Sequence, residues 1–227
     1  MNDAQTLKQD AGTGIAFRAL GPEAPEALLV LLHGVGGREL DLQALAAASD
    51  PRVLKLLVRS PLVLAPGSYA WFQVGFTRHG PVIDAAQAED ARLRLATFIE
   101  NLQRETGLGP ARTVVAGFSQ GGIMSAGLAL TRPDLVCGFG LLSGRILPEL
   151  APRIGAREAL ASLSGFISHG LQDSVLPVAW AERSDAWLTE LGVAFQSRRY
   201  PAGHEITVEM ARDFRAWVQD RLWPDQE

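Results

Sequence analysis

Cysteine is nearly absent: the single Cys137 among 227 residues rules out an intramolecular disulfide framework and fits a reducing compartment. A dominant charge is missing too, since 21 Lys and Arg stand against 25 Asp and Glu, a net of −4. The basic residues are scattered, so nothing prepares the chain to neutralise a phosphate backbone, and nucleic acid is excluded as an expected partner. No run of about 18 uninterrupted apolar residues exists, so no segment reads as a membrane span. The opening Met1-Asn2-Asp3-Ala4-Gln5 lacks the basic start and apolar stretch of a signal peptide. A cytoplasmic protein without stable membrane insertion is expected. With 47% hydrophobic residues the chain can build one large core, and a single domain over residues 1–227 is the expectation.

What is present is alternation. Ala27 to Leu32 is a continuous apolar run, suited to a strand buried on both faces. It stops at the glycine-rich His33-Gly34-Val35-Gly36-Gly37. Leu40 to Ala48 reads as a short helix, and Val53 to Val58 as a strand or a helix. An irregular loop follows Pro61 and Pro66, carrying Ser68 to Phe72. Asp84, with Gln87 three residues on, opens a helix whose apolar face runs through Ala88, Ala91, Leu95, Phe98, Ile99 and Leu102, and Gly107 ends it. Further strands are expected at Thr113–Gly117, Leu135–Leu142, Gly165–Ser168 and Val193–Arg198. Helices are expected at Ile123–Leu130, from Trp180 to a stop at Gly192, and from Ile206 to Val218. Strand and helix in turn predict an α/β fold, a mostly parallel central sheet with helices on both faces.

In such sheets ligands bind beyond the carboxyl ends of the strands. Gly117-Phe118-Ser119-Gln120-Gly121 lies between a strand and a helix and matches Gly-x-Ser-x-Gly, the bend that holds a serine hydroxyl exposed. The bare pattern is weak in a glycine-rich chain; its placement makes it strong. A serine hydroxyl needs a base, and the base needs a partner that fixes its tautomer. The order expected on this fold is serine, acid, histidine. Only His169 and His204 follow Ser119. His204 sits in a loop after the last strand and is preferred as base; His169, at a strand end before Gly170, reads as a structural residue. Asp173, between Gln172 and Ser174, is the expected acid, against the alternative of a turn cap before the next helix. Asp185 falls mid-helix and reads as solvated. Oxyanion stabilisation needs backbone N–H donors, for which Gln120 and Val35 are the candidates. A nucleotide-binding reading of Gly34 to Gly37 fails, because no Lys-Ser or Lys-Thr follows.

Leu32 to Gly37, Trp71-Phe72, Gly117 to Gly122, Leu142-Ser143-Gly144, His169-Gly170 with Asp173, and Gly203-His204 together resemble the phospholipase/carboxylesterase family, which includes the acyl-protein thioesterases. The resemblance spans roughly residues 27–220. It implies an α/β-hydrolase fold without a large lid domain, the triad Ser119, Asp173 and His204, oxyanion donors at Val35 and Gln120, and neither cofactor nor metal. It also implies that Trp71 and Phe72 lie near the acyl pocket, with a role as core aromatics an equal alternative; Leu176 joins them as a substrate-binding candidate. Gln73 stands where such members often carry Asp, and Gly36 to Asp41 looks closer to bacterial esterases. Cys137, inside an apolar run, reads as buried and inert rather than as a nucleophile. The expected activity is serine carboxylesterase, acting on a small-molecule ester of small to medium acyl group. A thioesterase or lysophospholipase with the same triad is the alternative, and a catalytically silent binding module the remote one. Monomer and homodimer are both left open.

Overall fold

The computed structural model describes residues 6–77 and 80–224, with backbone alone at 76, 77, 80 and 81. Among the described residues twelve strands run in order: β1 (Lys8–Gln9), β2 (Ala16–Leu20), β3 (Ala27–Leu32), β4 (Val53–Arg59), β5 (Leu62–Ala65), β6 (Ser68–Ala70), β7 (Val74–Thr77), β8 (Gly80–Ile83), β9 (Thr113–Phe118), β10 (Gly138–Leu142), β11 (Ser164–Gly170) and β12 (Ala194–Tyr200). The helices are α1 (Gln43–Ala47), α2 (Ala85–Thr106), α3 (Gln120–Thr131), α4 (Arg157–Leu160), α5 (Ala179–Leu191) and α6 (Val208–Leu222).

Eight strands form one sheet in the order β1-β2-β4-β3-β9-β10-β11-β12. The six from β4 to β12 are parallel, while β2 runs antiparallel to β4 and β1 to β2. The chain leaves β3 towards β4 on one side and returns on the other side at β9, so the loops after β3 and β9 flank the point where strand order reverses. Open α/β sheets bind ligands there.

The apolar run of β3 divides between the two faces. Leu28, Val30 and Leu32 pack with Leu95, Phe98, Ile99 and Leu102 of α2 and with α3, while Ala27, Leu29 and Leu31 pack with Leu45 and Ala46 of α1 and Phe214, Trp217 and Val218 of α6. Each β3 side chain is at most 1% exposed, and each Leu or Val so buried contributes about 2 kcal/mol of transfer free energy. Helix α2 starts as expected, Asp84 Oδ1 accepting from the amides of Ala86 and Gln87, and ends at Gly107 in the left-handed region, φ 70°. Gln87, however, does not close a capping box: its Oε1 accepts from the Gln73 amide at 2.8 Å.

Several elements differ from the sequence reading. Ser68 to Ala70 is no irregular loop but the second arm of the β5–β6 hairpin, and Gly67, at φ 77°, is the turn. The Leu40–Ala48 helix is a 3₁₀ turn over Glu39–Leu42 followed by α1. The Leu135 strand begins only at Gly138, because the Leu135 amide turns back to the Arg132 carbonyl. The antiparallel edge β1–β2 and the β7–β8 hairpin were not anticipated.

The 3₁₀ turn carries a buried charge hub. Glu39, 2% exposed, accepts from Arg18 Nε of β2 at 3.0 Å and from Arg59 Nε and Nη2 of β4 at 2.7 and 2.9 Å. The Arg59 guanidinium in turn lies 4.6 Å from the Tyr69 ring centre. Burial alone would raise the Glu39 pKa, but the two arginines outweigh it and pull the carboxyl down from 4.5 to about 2. Because the folded value is the lower one, the hub's stabilisation is full above pH 4.5 and is lost as pH falls through about 2. Glu39→Gln is expected to lower stability at pH 7 by about 2–3 kcal/mol, and urea unfolding at a series of pH values should find the gap to wild type closing as pH falls below 4.5. A gap independent of pH would show that the hub's charge is not what holds the turn.

Candidate active site

Ser119 caps α3 at φ 53° and ψ −116°, a region that L-residues avoid unless the surroundings hold them there. The surroundings do. A Cβ on Gly117 would meet the backbone of Gly121 and Leu32, and a Cβ on Gly121 would meet the carbonyls of Leu32 and His33. The bend therefore presses directly against the end of β3. The Ser119 amide donates to the Leu142 carbonyl at 2.8 Å, which fixes the bend to β10 as well.

Asp173 and His204 arrive from the ends of β11 and β12. Leu171 and Gln172 donate from their amides to the carbonyls of Tyr200 and Ala202, zipping the loop after β11 to the one after β12. Gly170 permits this approach, since a Cβ there would meet the Ala202 and Gly203 carbonyls. The result is a continuous line: His204 Nε2 lies 2.9 Å from Ser119 Oγ, and His204 Nδ1 lies 2.7 Å from Asp173 Oδ2. Asp173 does both things the sequence allowed it. Its Oδ2 faces His204 while its Oδ1 accepts from the amides of Val175 and Leu176 at 2.9 and 2.7 Å. The turn cap is thus what aims the carboxylate. Phe118 packs against the imidazole with ring centres 4.8 Å apart.

His169 is fully buried. Its Nε2 donates to the Leu176 carbonyl at 2.7 Å and lies 3.4 Å from Asp173 Oδ2. Burial lowers its pKa, which favours the neutral ring, and it reaches the acid turn but not the serine. Cys137 is buried with its Sγ towards the Thr113 carbonyl, and burial pushes its thiol pKa up. Asp185 is not simply solvated: it pairs with Arg199 at 2.6 Å and accepts from Ser197.

Val35 and Gln120 line the same cleft as Ser119, and among the described residues neither backbone amide has a recorded acceptor. The loop carrying Val35 is held by His33, whose Nδ1 faces the Gly34 carbonyl at 2.7 Å and whose Nε2 meets the Ser60 amide at 3.1 Å. Since Nε2 accepts, Nδ1 carries the proton, and burial lowers the ring's pKa in keeping with that neutral form. The side chain of Gln120 has a second use. Its Oε1 accepts from the Trp71 amide at 2.7 Å and its Nε2 donates to the Phe72 carbonyl at 2.8 Å.

Two clefts meet at Ser119 and His204. One, of about 110 Å³, is lined by Ser119, Gln120, Phe72, Leu176 and Arg145 with apolar neighbours. The other, of about 340 Å³, is lined by His204, Phe118, Asp41 and Glu205 with the Gly34 loop. Phe72 and Leu176 therefore border the serine. Trp71 does not: it is buried behind, its Nε1 donating to the His33 carbonyl. Among the described residues no cluster of three His, Cys, Asp or Glu could hold a metal ion, and no helix is long and apolar enough to cross a membrane.

A parallel sheet covered on both faces, with the hydroxyl-bearing bend at a central strand's carboxyl end, defines the α/β-hydrolase class. The likeness to solved structures agrees: esterase PE8 superposes with a TM-score of 0.80 at 29% identity, covering 90% of this chain and 97% of that one. A Bacillus cereus carboxylesterase superposes at 0.77 with 23% identity, over 96% and 95% of the two chains. The chain belongs to the phospholipase/carboxylesterase family, whose model matches residues 19–221. Its relatives include esterase YpfH of Escherichia coli (strain K12), 27% identical over 90% of this chain and 82% of that protein. Acyl-protein thioesterase 1 of Emericella nidulans is 36% identical over 68% of each chain.

Two contributors escaped the sequence reading: the Gln120 side chain and Arg145. Each is polar and buried by residues far away in sequence, so no local pattern marks it. Gln120→Met keeps the volume and leaves the Trp71 amide and Phe72 carbonyl unpaired. It is expected to cost about 2–4 kcal/mol of stability, read as a lower denaturation midpoint with an unchanged slope; an unshifted midpoint would mean that the bridge carries no weight.

Proposed function

We propose that the protein is a serine carboxylesterase in which Ser119 is the nucleophile, His204 the general base and acid, and Asp173 the residue that orients the imidazole. The observation that carries this reading is the unbroken hydrogen-bonded line from Asp173 through His204 to Ser119. As Ser119 Oγ bonds to the ester carbonyl carbon, its proton passes to His204 Nε2, and Asp173 stabilises the imidazolium. The carbonyl oxygen becomes an oxyanion within reach of the unengaged amides of Val35 and Gln120. Collapse breaks the bond to the alkoxide, which takes the proton from His204. Water then gives a proton to His204 and attacks the acyl carbon, releasing the acid and restoring Ser119.

The family and its esterase members support the bond type. A second reading, thioester cleavage, is favoured by the 36% identical acyl-protein thioesterase; the same nucleophile and donors serve it. It differs at one step, since a thiolate can leave without a proton from His204 while an alkoxide needs one. A cytoplasmic setting is part of the proposal, resting on the single buried thiol.

Ser119→Ala is expected to lower kcat/KM on a p-nitrophenyl ester by about 10⁴-fold or more, and Asp173→Asn by about 10⁴-fold, with the fold retained by circular dichroism. Turnover undiminished in the alanine variant would remove the reading. Matched oxygen esters and thioesters decide between the two bond types through their kcat/KM values.

A further inference from the structure

Arg145 lines the serine's cleft, and the chemistry proposed above leaves it without a task. It follows β10 through Ser143, held at φ 49°, and Gly144, where a Cβ would press on Leu141 and on the Ser119 carbonyl. The turn is tied on both sides: the Ser143 amide donates to the Ser168 carbonyl at 2.8 Å, and the Ile146 amide to Ser184 Oγ at 3.3 Å. The arginine is therefore presented by a fixed support.

Only 7% of Arg145 is exposed, yet among the described residues no group accepts a hydrogen bond from its guanidinium. The contact it does make is with an aromatic face, its central carbon lying 4.4 Å from the Trp180 ring centre. Arg183 lies 4.6 Å from the same ring centre, adding positive charge nearby. Glu149 is the carboxylate whose field reaches Arg145, but it forms no ion pair with it and borders the neighbouring groove. Burial lowers the guanidinium's pKa, although arginine stays charged at neutral pH. A buried cation with five donors and no acceptor is unfavourable unless an anion completes it. The nitrogens are not sealed off, because the sealed and unpartnered side-chain atoms among the described residues are Ser168 Oγ and His169 Nδ1. They keep some accessible surface, and Arg145 is one of the residues that line the serine's cleft.

The two clefts assign the side of the ester. His204 must deliver a proton to the leaving oxygen, so the leaving group occupies the cleft that His204 lines, where Asp41 and Glu205 also stand. The cleft with Ser119 and Arg145 lacks His204 and receives the acyl chain. Its other walls are mainly apolar, including Phe72, Val74, Ile83, Ile123 and Leu176, with Arg145 the charged residue among them. One guanidinium, set over an aromatic ring with its donors unpaired among the described residues, matches one planar monoanion.

We propose that Arg145 binds a carboxylate at the distal end of the acyl chain, so that the preferred substrates are half-esters of short dicarboxylic acids. The proposal rests on the esterase reading of the same site and deepens it. It makes Arg145 a specificity-determining residue: the apolar walls hold the methylenes and the guanidinium sets the chain length.

The test uses the full chain at pH 7 with alkali uptake as readout. Monomethyl succinate, glutarate and adipate are compared with methyl butanoate, pentanoate and hexanoate, and with isomers that carry the carboxylate on the alcohol instead. At one chain length the half-ester is expected to exceed its neutral match by about ten-fold or more in kcat/KM, chiefly through KM, while the isomer charged on the alcohol gains nothing. In Arg145→Met the half-ester to neutral ratio should fall to about one, and Arg145→Lys should restore part of it. The wild-type comparison stands without either variant, should one fail to fold. Neutral esters turned over as fast as every half-ester, or a preference that survives in Arg145→Met, overturns the anion site and leaves the esterase reading intact. Failure to hydrolyse any ester, neutral ones included, overturns the esterase reading and this proposal with it.

Discussion

Ser119 can hold its left-handed backbone conformation only because Gly117 and Gly121 let the end of β9, the start of α3 and the end of β3 touch backbone to backbone. Such a conformation costs on the order of 1–3 kcal/mol, and packing that tight admits no alternative position for the hydroxyl. Everything else at the site is placed relative to this bend. The Gln120 amide follows it directly, the Val35 loop lies against it at Gly34, and the turn that presents Arg145 touches the Ser119 carbonyl at Gly144.

The loops around the bend are joined to each other by groups that each make more than one connection. Asp173 caps its own turn with one oxygen and meets His204 with the other, so the imidazole is aimed by local backbone geometry. His169 braces the same turn through the Leu176 carbonyl. Gln120 ties α3 to Trp71 and Phe72, and Glu39 ties the turn after the first parallel strand to β2 and β4. The loops of the site are joined to one another in this way, and the two clefts differ in charge: carboxylates on the His204 side, a guanidinium on the Ser119 side.

Much of this was readable from the chain because the signals are local. Ala27 to Leu32 is apolar at every position since both faces are covered, and α2 announces its ends through Asp84 and Gly107. Ser119, Asp173 and His204 were legible from their order and their places after strands. The reading failed where structure depends on partners distant in sequence. β2 is half-buried along its length and is a strand because β4 pairs with it. The β5–β6 hairpin hid behind two prolines that looked like loop. Trp71, for which pocket wall and core aromatic stood equal, lies under the loop carrying His33, and Arg145 looks like an ordinary surface arginine until the fold closes around it.

The central claim is that one bend presents a nucleophile to an electrophile while two fixed amides face the charge that develops. A crystal structure of the protein after reaction with an alkyl phosphonate ester tests it most directly. The account predicts a covalent bond from phosphorus to Ser119 Oγ, with one phosphonyl oxygen accepting hydrogen bonds from the amides of both Val35 and Gln120. Phosphorus bonded to another side chain, or a phosphonyl oxygen turned away from both amides, would contradict it.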